Sequence, residues 1–223
     1  MPLVTYYYRE AATDSYGTSN YANASAVSGG ALQVGELANI DGNLYVFPTA
    51  SPKVGAAQLG LTPNDFWNSY TGDLTKYSSS PSTSAFVYSS LPGGSSRVSN
   101  SIPGHPDPMF ATYLSQYNSS LSGEAYNLQI TSLPAGTYTL VVYGHGANVA
   151  DTASFSVTIG ISTTGVQSTT SNSSWLSNNW TLGVHYVQFT GLVIGAGQTM
   201  QLNVLLNGVG VPIFNGLQLL RTA

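Results

Sequence analysis

The stretch YNLQITSLPAGTYTLVV, at residues 126–142, decides the fold class of this chain. Apolar and polar residues alternate from Tyr126 to Ile130 and, after a turn at Leu133–Gly136, alternate again from Tyr138 to Val142. Side chains two residues apart lie on the same face of a β-strand, so each half of the stretch predicts a strand with one buried and one solvated face.

Similar segments extend this pattern in both directions along the chain. They lie at residues 44–47, 85–88, 154–159, 184–189, 200–204 and 213–220, and Gly, Pro and Asn separate them. Short strands spaced in this way predict an all-β fold, an antiparallel jelly-roll β-sandwich. We expect four apolar residues to be buried and four polar neighbours to be more exposed: Leu128, Leu140, Val157 and Val204 against Gln129, Thr139, Ser156 and Asn203.

One segment, from Pro108 to Tyr117, carries apolar residues near a helical spacing. We therefore expect at most one short helix in the fold. Asp107 stands directly before this segment, between two prolines, and is expected to cap the helix.

Residues 1–37 differ in composition from the rest and predict an N-terminal extension or arm ahead of a sandwich domain at residues 38–223. Leu3–Arg9 is a β-prone run that contains Tyr6, Tyr7 and Tyr8, whereas Thr13–Gly30 is almost entirely small and polar, which predicts a loop or flexible arm. The β-prone run can either pair within its own domain or add as a strand to the sheet of a neighbouring molecule.

The composition excludes several classes of partner. Of 223 residues only 6% are charged and the net charge is −4, so a groove that follows nucleic acid phosphates is not expected. The chain has no Cys, which excludes disulfides and thiolate chemistry. No apolar run approaches the ~20 residues of a membrane-spanning helix, so no membrane insertion is expected.

Several segments together resemble a known type of module. They are Leu61–Asn68, Pro106–Phe110, Leu133–Tyr138, Tyr143–Gly146, Val184–Phe189 and Asn215–Leu219. In this order they resemble a galactose-binding-like jelly-roll module of large secreted surface proteins of environmental bacteria, a fold shared by many carbohydrate-binding modules. The resemblance covers roughly residues 40–221 and implies the fold and an extracellular or cell-surface setting, without implying a site.

A carbohydrate site is indicated by aromatic residues among amides. Aromatic rings stack on the apolar faces of sugars while amides and imidazoles bond the hydroxyls. Trp175, Asn179 and Trp180 lie together in what the sequence predicts to be a loop, and we add Tyr143 and His145 as candidate glycan contacts. The alternative is that Trp180 plugs the end of the sandwich and that His145 is a turn residue bonded to a nearby carbonyl.

A third tryptophan, Trp67, stands next to Phe66 in an apolar cluster and is expected in the core. His185 shares strand parity with Val187 and Phe189, so we expect it on the core side with a satisfied hydrogen bond.

No metal cofactor is predicted. The three histidines, His105, His145 and His185, are far apart in sequence and form no short ligand pair. Asn39–Asn43 could supply two or three oxygens to a structural Ca²⁺, but an Asp-Gly turn explains the same residues equally well.

Two functions without catalysis follow. No pair of carboxylates and no nucleophile with its base stands in a recognisable spacing, so we do not expect an enzyme. The first hypothesis is a module that binds a glycan or polysaccharide, or mediates adhesion, at the cell surface. The alternative is a subunit that assembles with copies of itself into a fibre or surface layer, joined by strand addition through Tyr6, Tyr7 and Tyr8.

Overall fold

The structure is a computed structural model, and it confirms the all-β, antiparallel sandwich. It describes residues 32–42, 53–60, 65, 67, 105–110, 113–115, 126–146, 152–170, 177, 179–205 and 212–223 with their side chains, and the backbone alone of the remaining strands in the next paragraph. The strand predicted at residues 44–47 lies outside the described residues. Within the described part, no helix has both the length and the apolar character needed to cross a membrane.

In chain order the described strands are β1 (Thr5–Glu10), β2 (Thr13–Asp14), β3 (Gly17–Thr18), β4 (Ala22–Val27), β5 (Leu37–Asp41), β6 (Asn68–Ser69), β7 (Tyr77–Ser78), β8 (Phe86–Ser90), β9 (Ser96–Asn100), β10 (Thr112–Gln116), β11 (Glu124–Thr131), β12 (Gly136–Tyr143), β13 (Ser154–Ile159), β14 (Ser162–Thr163), β15 (Gln167–Ser168), β16 (Tyr186–Ile194), β17 (Met200–Leu205), β18 (Ile213–Phe214) and β19 (Gly216–Arg221). A short 3-10 helix spans Pro108–Phe110.

Two large sheets form the sandwich. One has seven strands, of which six run in the order β14-β13-β17-β11-β8-β7 while β15 also pairs with β13, and the other has five strands in the order β16-β12-β19-β5-β6. From β11 to β13 and again from β16 to β19, the long strands alternate between the two sheets. Connections that cross repeatedly between sheets are typical of a jelly roll.

The main hydrophobic core lies between the two sheets. Residues at period two on β11, β13 and β17 face residues at period two on β5, β12, β16 and β19, and all belong to one buried cluster. The four apolar residues named from the sequence are all buried: Leu128, Leu140, Val157 and Val204. This half of the prediction is confirmed.

The four polar residues are each more exposed than the apolar residues named with them, but for three of them the difference is small. Thr139, Ser156 and Asn203 are also buried, while Gln129 is half-buried. Two of these side chains lie opposite each other on the paired strands β17 and β13. Asn203 Nδ2 donates to Ser156 Oγ at 3.0 Å. Polar residues in the middle of a wide sheet can thus satisfy each other without reaching water.

The expected helix is also shorter than its sequence pattern. Only Pro108–Phe110 is helical, and residues 112–116 form β10, which pairs with β9 and β18 in a three-stranded sheet. Asp107 Oδ1 accepts the N–H of Met109 at 3.0 Å, so its expected capping role is confirmed.

The N-terminal segment contains more regular structure than expected. β1 pairs with β4 in antiparallel register, with Tyr7 opposite Ser25, and β2 pairs with β3. The prediction of a loop or flexible arm is therefore wrong for residues 13–14, 17–18 and 22–27.

We expect Leu140→Ala to lower the free energy of unfolding by ~2–5 kcal/mol, because it removes a fully buried side chain from the core. The matched control is Val193→Ala on the adjacent strand β16, where the side chain is 67% exposed, and its effect should stay within about 0.5 kcal/mol. Urea unfolding followed by circular dichroism measures both. Equal losses in the two variants would contradict the two-sheet core.

Candidate functional site

The candidate site lies on the outer face of the five-stranded sheet, the face that points away from the main core. Two rows of residues cross this face in register. One row contains Val141 and Gln218, and the other contains Tyr143 and Tyr186. Val141, Tyr143 and Tyr186 form a second hydrophobic cluster with residues from outside the sheet, so this face is dry although it belongs to an antiparallel sheet.

A covering layer of irregular chain, defined here as residues 53–60, Trp67 and residues 105–110, closes the outer face. Trp67, Met109 and Phe110 are buried in the second cluster, which confirms the expected burial of Trp67. Gly216 of β19 permits the close approach, because a Cβ at this position would lie 2.8 Å from Met109 Sδ.

The Gln218 side chain fastens this layer to the sheet. Its Oε1 accepts the N–H of Leu59 at 2.9 Å, and its Nε2 donates to the carbonyl of Leu59 at 2.6 Å and to Asn39 Oδ1 at 2.8 Å. The amide thus pairs with the Leu59 backbone as a neighbouring strand would.

Tyr143 adds a second fastening point beside Gln218. Its hydroxyl accepts the N–H of Gln58 at 2.9 Å and donates to Gln218 Oε1. Burial is the main cause that raises the pKa of Tyr143 well above its ordinary value. The hydroxyl therefore stays protonated and keeps its donor role.

A buried ion pair joins residues 53–60 to residues 105–110 of the covering layer. Lys53 Nζ lies 2.6 Å from Asp107 Oδ2, and each side chain is 4% exposed. Lys53 Nζ also lies 5.4 Å from the centre of the Trp67 ring, and the Lys53 N–H donates to Asp41 Oδ2 at 3.2 Å.

Asp41 is the last residue of β5, and the N–H of Gly42 donates to the carbonyl of Asn215, which extends the pairing with β19 by one residue. Residues 39–41 are therefore part of the sheet, whereas Asn43, the last residue of the turn considered from the sequence, lies outside the described residues.

Two of the three histidines meet beside this cluster. The rings of His145 and His185 are 4.9 Å apart at 73°. His145 Nδ1 lies 2.9 Å from the carbonyl of Val184, to which it donates, while His185 Nδ1 accepts the N–H of Thr181 at 2.9 Å. The interpretations of His145 as bonded to a nearby carbonyl and of His185 as buried with a satisfied hydrogen bond are confirmed.

These hydrogen bonds also fix the tautomers. His185 carries its proton on Nε2, since Nδ1 accepts, and a protonated Nε2 is not a metal ligand. Among the residues that the structure describes, no three His, Cys, Asp or Glu side chains are placed to hold a metal ion. Burial, assisted by His145 and His105, lowers the pKa of His185 to about 4, and burial also lowers the pKa of His105.

The predicted glycan contacts fall into three groups. Trp180 is half-buried and Asn179 beside it is exposed. The Trp180 ring lies 5.5 Å from the Phe110 ring of the covering layer and 5.1 Å from the Tyr143 ring of β12, so both rings pack against it. Tyr143 and His145 have no exposed surface, so neither lies on a contact surface. Trp175 lies outside the described residues.

The residues proposed for assembly lie elsewhere. Tyr6, Tyr7 and Tyr8 are on β1, and their backbone pairs with Ala26, Ser25 and Ala24 of the same chain. Pairing within the chain lends no support to strand addition between molecules.

Sequence reasoning missed Lys53 and Gln218. Two features of the sequence mark these residues as unusual. Lys53 is one of only two lysines in the chain, and Gln218 is a polar residue within the apolar C-terminal strand. Neither signal names the partner, which lies 54 residues away for Lys53 and 159 residues away for Gln218.

No protein-family model and no curated protein matches the chain. Among solved structures, the chain is similar to TmCBM61 in complex with β-1,4-galactotriose, with 15% identity and a TM-score of 0.37 over 60% of this chain and 88% of that one. A family 35 carbohydrate-binding module from Clostridium thermocellum has 12% identity and a TM-score of 0.36 over 65% of this chain and 95% of its own.

An enzyme is also among the similar structures. The exo-β-1,3-galactanase from Phanerochaete chrysosporium has 12% identity and a TM-score of 0.33, and the similarity covers 61% of this chain but 29% of the enzyme. Similarities of this size assign neither a ligand nor a site to this chain.

The lowered pKa of His185 predicts a pH dependence of stability. The unfolded chain binds a proton at His185 near its ordinary pKa of 6.5, whereas the folded chain does so only near 4. The neutral, buried His185 therefore stabilises the folded chain fully above about pH 7. This stabilisation is lost as the pH falls from the unfolded pKa of 6.5 towards the folded pKa of about 4. We expect the thermal midpoint to decrease from pH 7 to pH 4 and the slope to flatten in His185→Asn, whose amide oxygen can still accept the Thr181 N–H. Scanning calorimetry measures both, and equal slopes would contradict the assignment.

Proposed function

We propose that this chain is a non-catalytic module that binds a neutral carbohydrate at Trp180 and Asn179. One observation carries the proposal: a half-buried indole ring at the surface packs against two other aromatic rings, next to an exposed amide. An aromatic face with an adjacent amide provides both kinds of contact that a sugar ring needs.

The support behind Trp180 matters for affinity. Its neighbours Phe110 and Tyr143 are both buried, and Tyr143 is fastened by its hydrogen bonds to Gln58 and Gln218. A ring that is already held in position loses less conformational freedom when a ligand binds. In this proposal Tyr143 positions Trp180 and does not touch the sugar, which revises its expected role as a direct contact.

The charge of the chain favours an uncharged glycan. Only 6% of the residues are charged. On the outer face, Asp41 and Asp107 are buried and bonded to Lys53, so they are already engaged inside the protein. Recognition would then rest on stacking and neutral hydrogen bonds. The engagement of both carboxylates also supports a binding role without catalysis.

The proposed setting is extracellular or at the cell surface, where such a module would hold its host protein to a polysaccharide or mediate adhesion. This part of the proposal rests on the resemblance of the sequence motifs, from Leu61–Asn68 to Asn215–Leu219, to modules of secreted surface proteins.

We expect Trp180→Ala to weaken retention in affinity gels by about 5- to 150-fold, since an aromatic anchor is worth ~1–3 kcal/mol of binding free energy. The gels carry those neutral polysaccharides that the unchanged chain binds on a glycan array. Leu182→Ala is the matched control, because Leu182 is 57% exposed and two residues away but is not aromatic. It should leave retention unchanged.

Loss of the half-buried Trp180 ring can also lower stability, so Asn179→Ala provides a second variant at an exposed position. It should weaken retention while the thermal midpoint stays unchanged. Retention of both Trp180→Ala and Asn179→Ala at the level of the unchanged chain, or a glycan array without any binding, would overturn the proposed function.

A further inference from the structure

The geometry of Lys53 and Asp107 is that of a reacting pair as well as an ion pair. The nitrogen and the carboxylate oxygen are 2.6 Å apart, and both side chains are 4% exposed. The pair lies beside the second hydrophobic cluster, with Trp67 next to the ammonium group and Met109 next to the carboxylate. A nitrogen held beside a carboxyl group in a site that excludes water has the proximity that amide formation requires.

The other polar contacts of the pair match an amide. Lys53 Nζ donates a second hydrogen bond to the carbonyl of Ala56 at 3.1 Å. Asp107 Oδ1 accepts the N–H of Met109 at 3.0 Å. If a bond joined Nζ to the Asp107 carboxyl carbon, Ala56 would accept the remaining N–H and Met109 would donate to the remaining oxygen. Both polar atoms of the product already have partners.

We propose that Lys53 and Asp107 condense to form an intramolecular amide, an isopeptide bond between their side chains. The ammonium group first gives one proton to Asp107 Oδ2, which leaves an amine and a carboxylic acid. The nitrogen lone pair then attacks the carboxyl carbon, and the negative charge that develops on Oδ1 is stabilised by the Met109 N–H.

A second proton then passes from the nitrogen to Oδ2, and the carbon–oxygen bond breaks with release of one water molecule. The third proton stays on the amide nitrogen. The ionised pair is thereby converted to an amide and water, and no oxidant, reductant or other reagent is consumed.

The surroundings favour this conversion. Two charges without access to water carry a desolvation penalty that their attraction only partly repays. A neutral amide with both hydrogen bonds satisfied removes that penalty. The bond would also tie residues 53–60 covalently to residues 105–110, in a chain that has no Cys and hence no disulfide to do so.

Intact-mass spectrometry of the full-length chain, denatured before measurement, tests the proposal. We expect a mass lower than that of the sequence by one water molecule, and a branched peptide that joins the segments around Lys53 and Asp107 after proteolysis. Lys53→Arg keeps the positive charge but cannot form this amide, so it should show its full sequence mass. Lys76→Arg, which removes the only other lysine, should still show the loss of water.

A native chain with its full sequence mass and with a Lys53 amine that reacts with an acylating reagent after denaturation would overturn the proposal. So would a loss of water that persists in Lys53→Arg, because that water would come from another site. Both outcomes are independent of glycan binding.

Discussion

The interior strand β12 is buried on both faces, and this constraint determines how the rest of the chain is arranged. Leu140 and Val142 face the main core, whereas Val141 and Tyr143 on the opposite face have no exposed surface either. An antiparallel sheet usually leaves one face to solvent. Here the second face is apolar and aromatic, so it requires a cover, and residues 53–60 and 105–110 supply it.

The cover is irregular chain, which brings buried backbone groups that must be satisfied. Side chains of the sheet meet this requirement, because Gln218 pairs with both backbone groups of Leu59 and the Tyr143 hydroxyl accepts the Gln58 N–H. Lys53 and Asp107 then lock the two segments together. Trp180 packs against Phe110 of this layer and against Tyr143 of β12, and this packing holds it at the surface.

The sequence predicts the main core well because that core depends on a local pattern. Alternation at period two places Leu128 and Val204 inside, and it needs no knowledge of which strands are neighbours. The covering layer has no such pattern. The partners of Gln218 and Lys53 are distant in sequence, and nothing in the composition around Leu59 or Asp107 identifies them.

This difference explains which site predictions needed revision. Tyr143 and His145 are candidate glycan contacts in the sequence, but both are interior, and the covering layer packs over Tyr143. The helix within Pro108–Tyr117 is limited to Pro108–Phe110 for a similar reason, since pairing of residues 112–116 with β9 and β18 overrides a local apolar spacing. Asn203 is buried because its partners, among them Ser156, lie on a neighbouring strand. Contacts between distant segments decided all three cases.

Amide hydrogen exchange at Gln58 and Leu59 tests the central claim, that the covering layer is part of the folded core, most directly. Their N–H groups donate to Tyr143 and Gln218 at 2.9 Å. The account predicts that they exchange as slowly as the amides of β12 and open only with global unfolding. Exchange as rapid as that of the exposed turn at residues 196–198 would show that the layer opens independently, and would contradict the account.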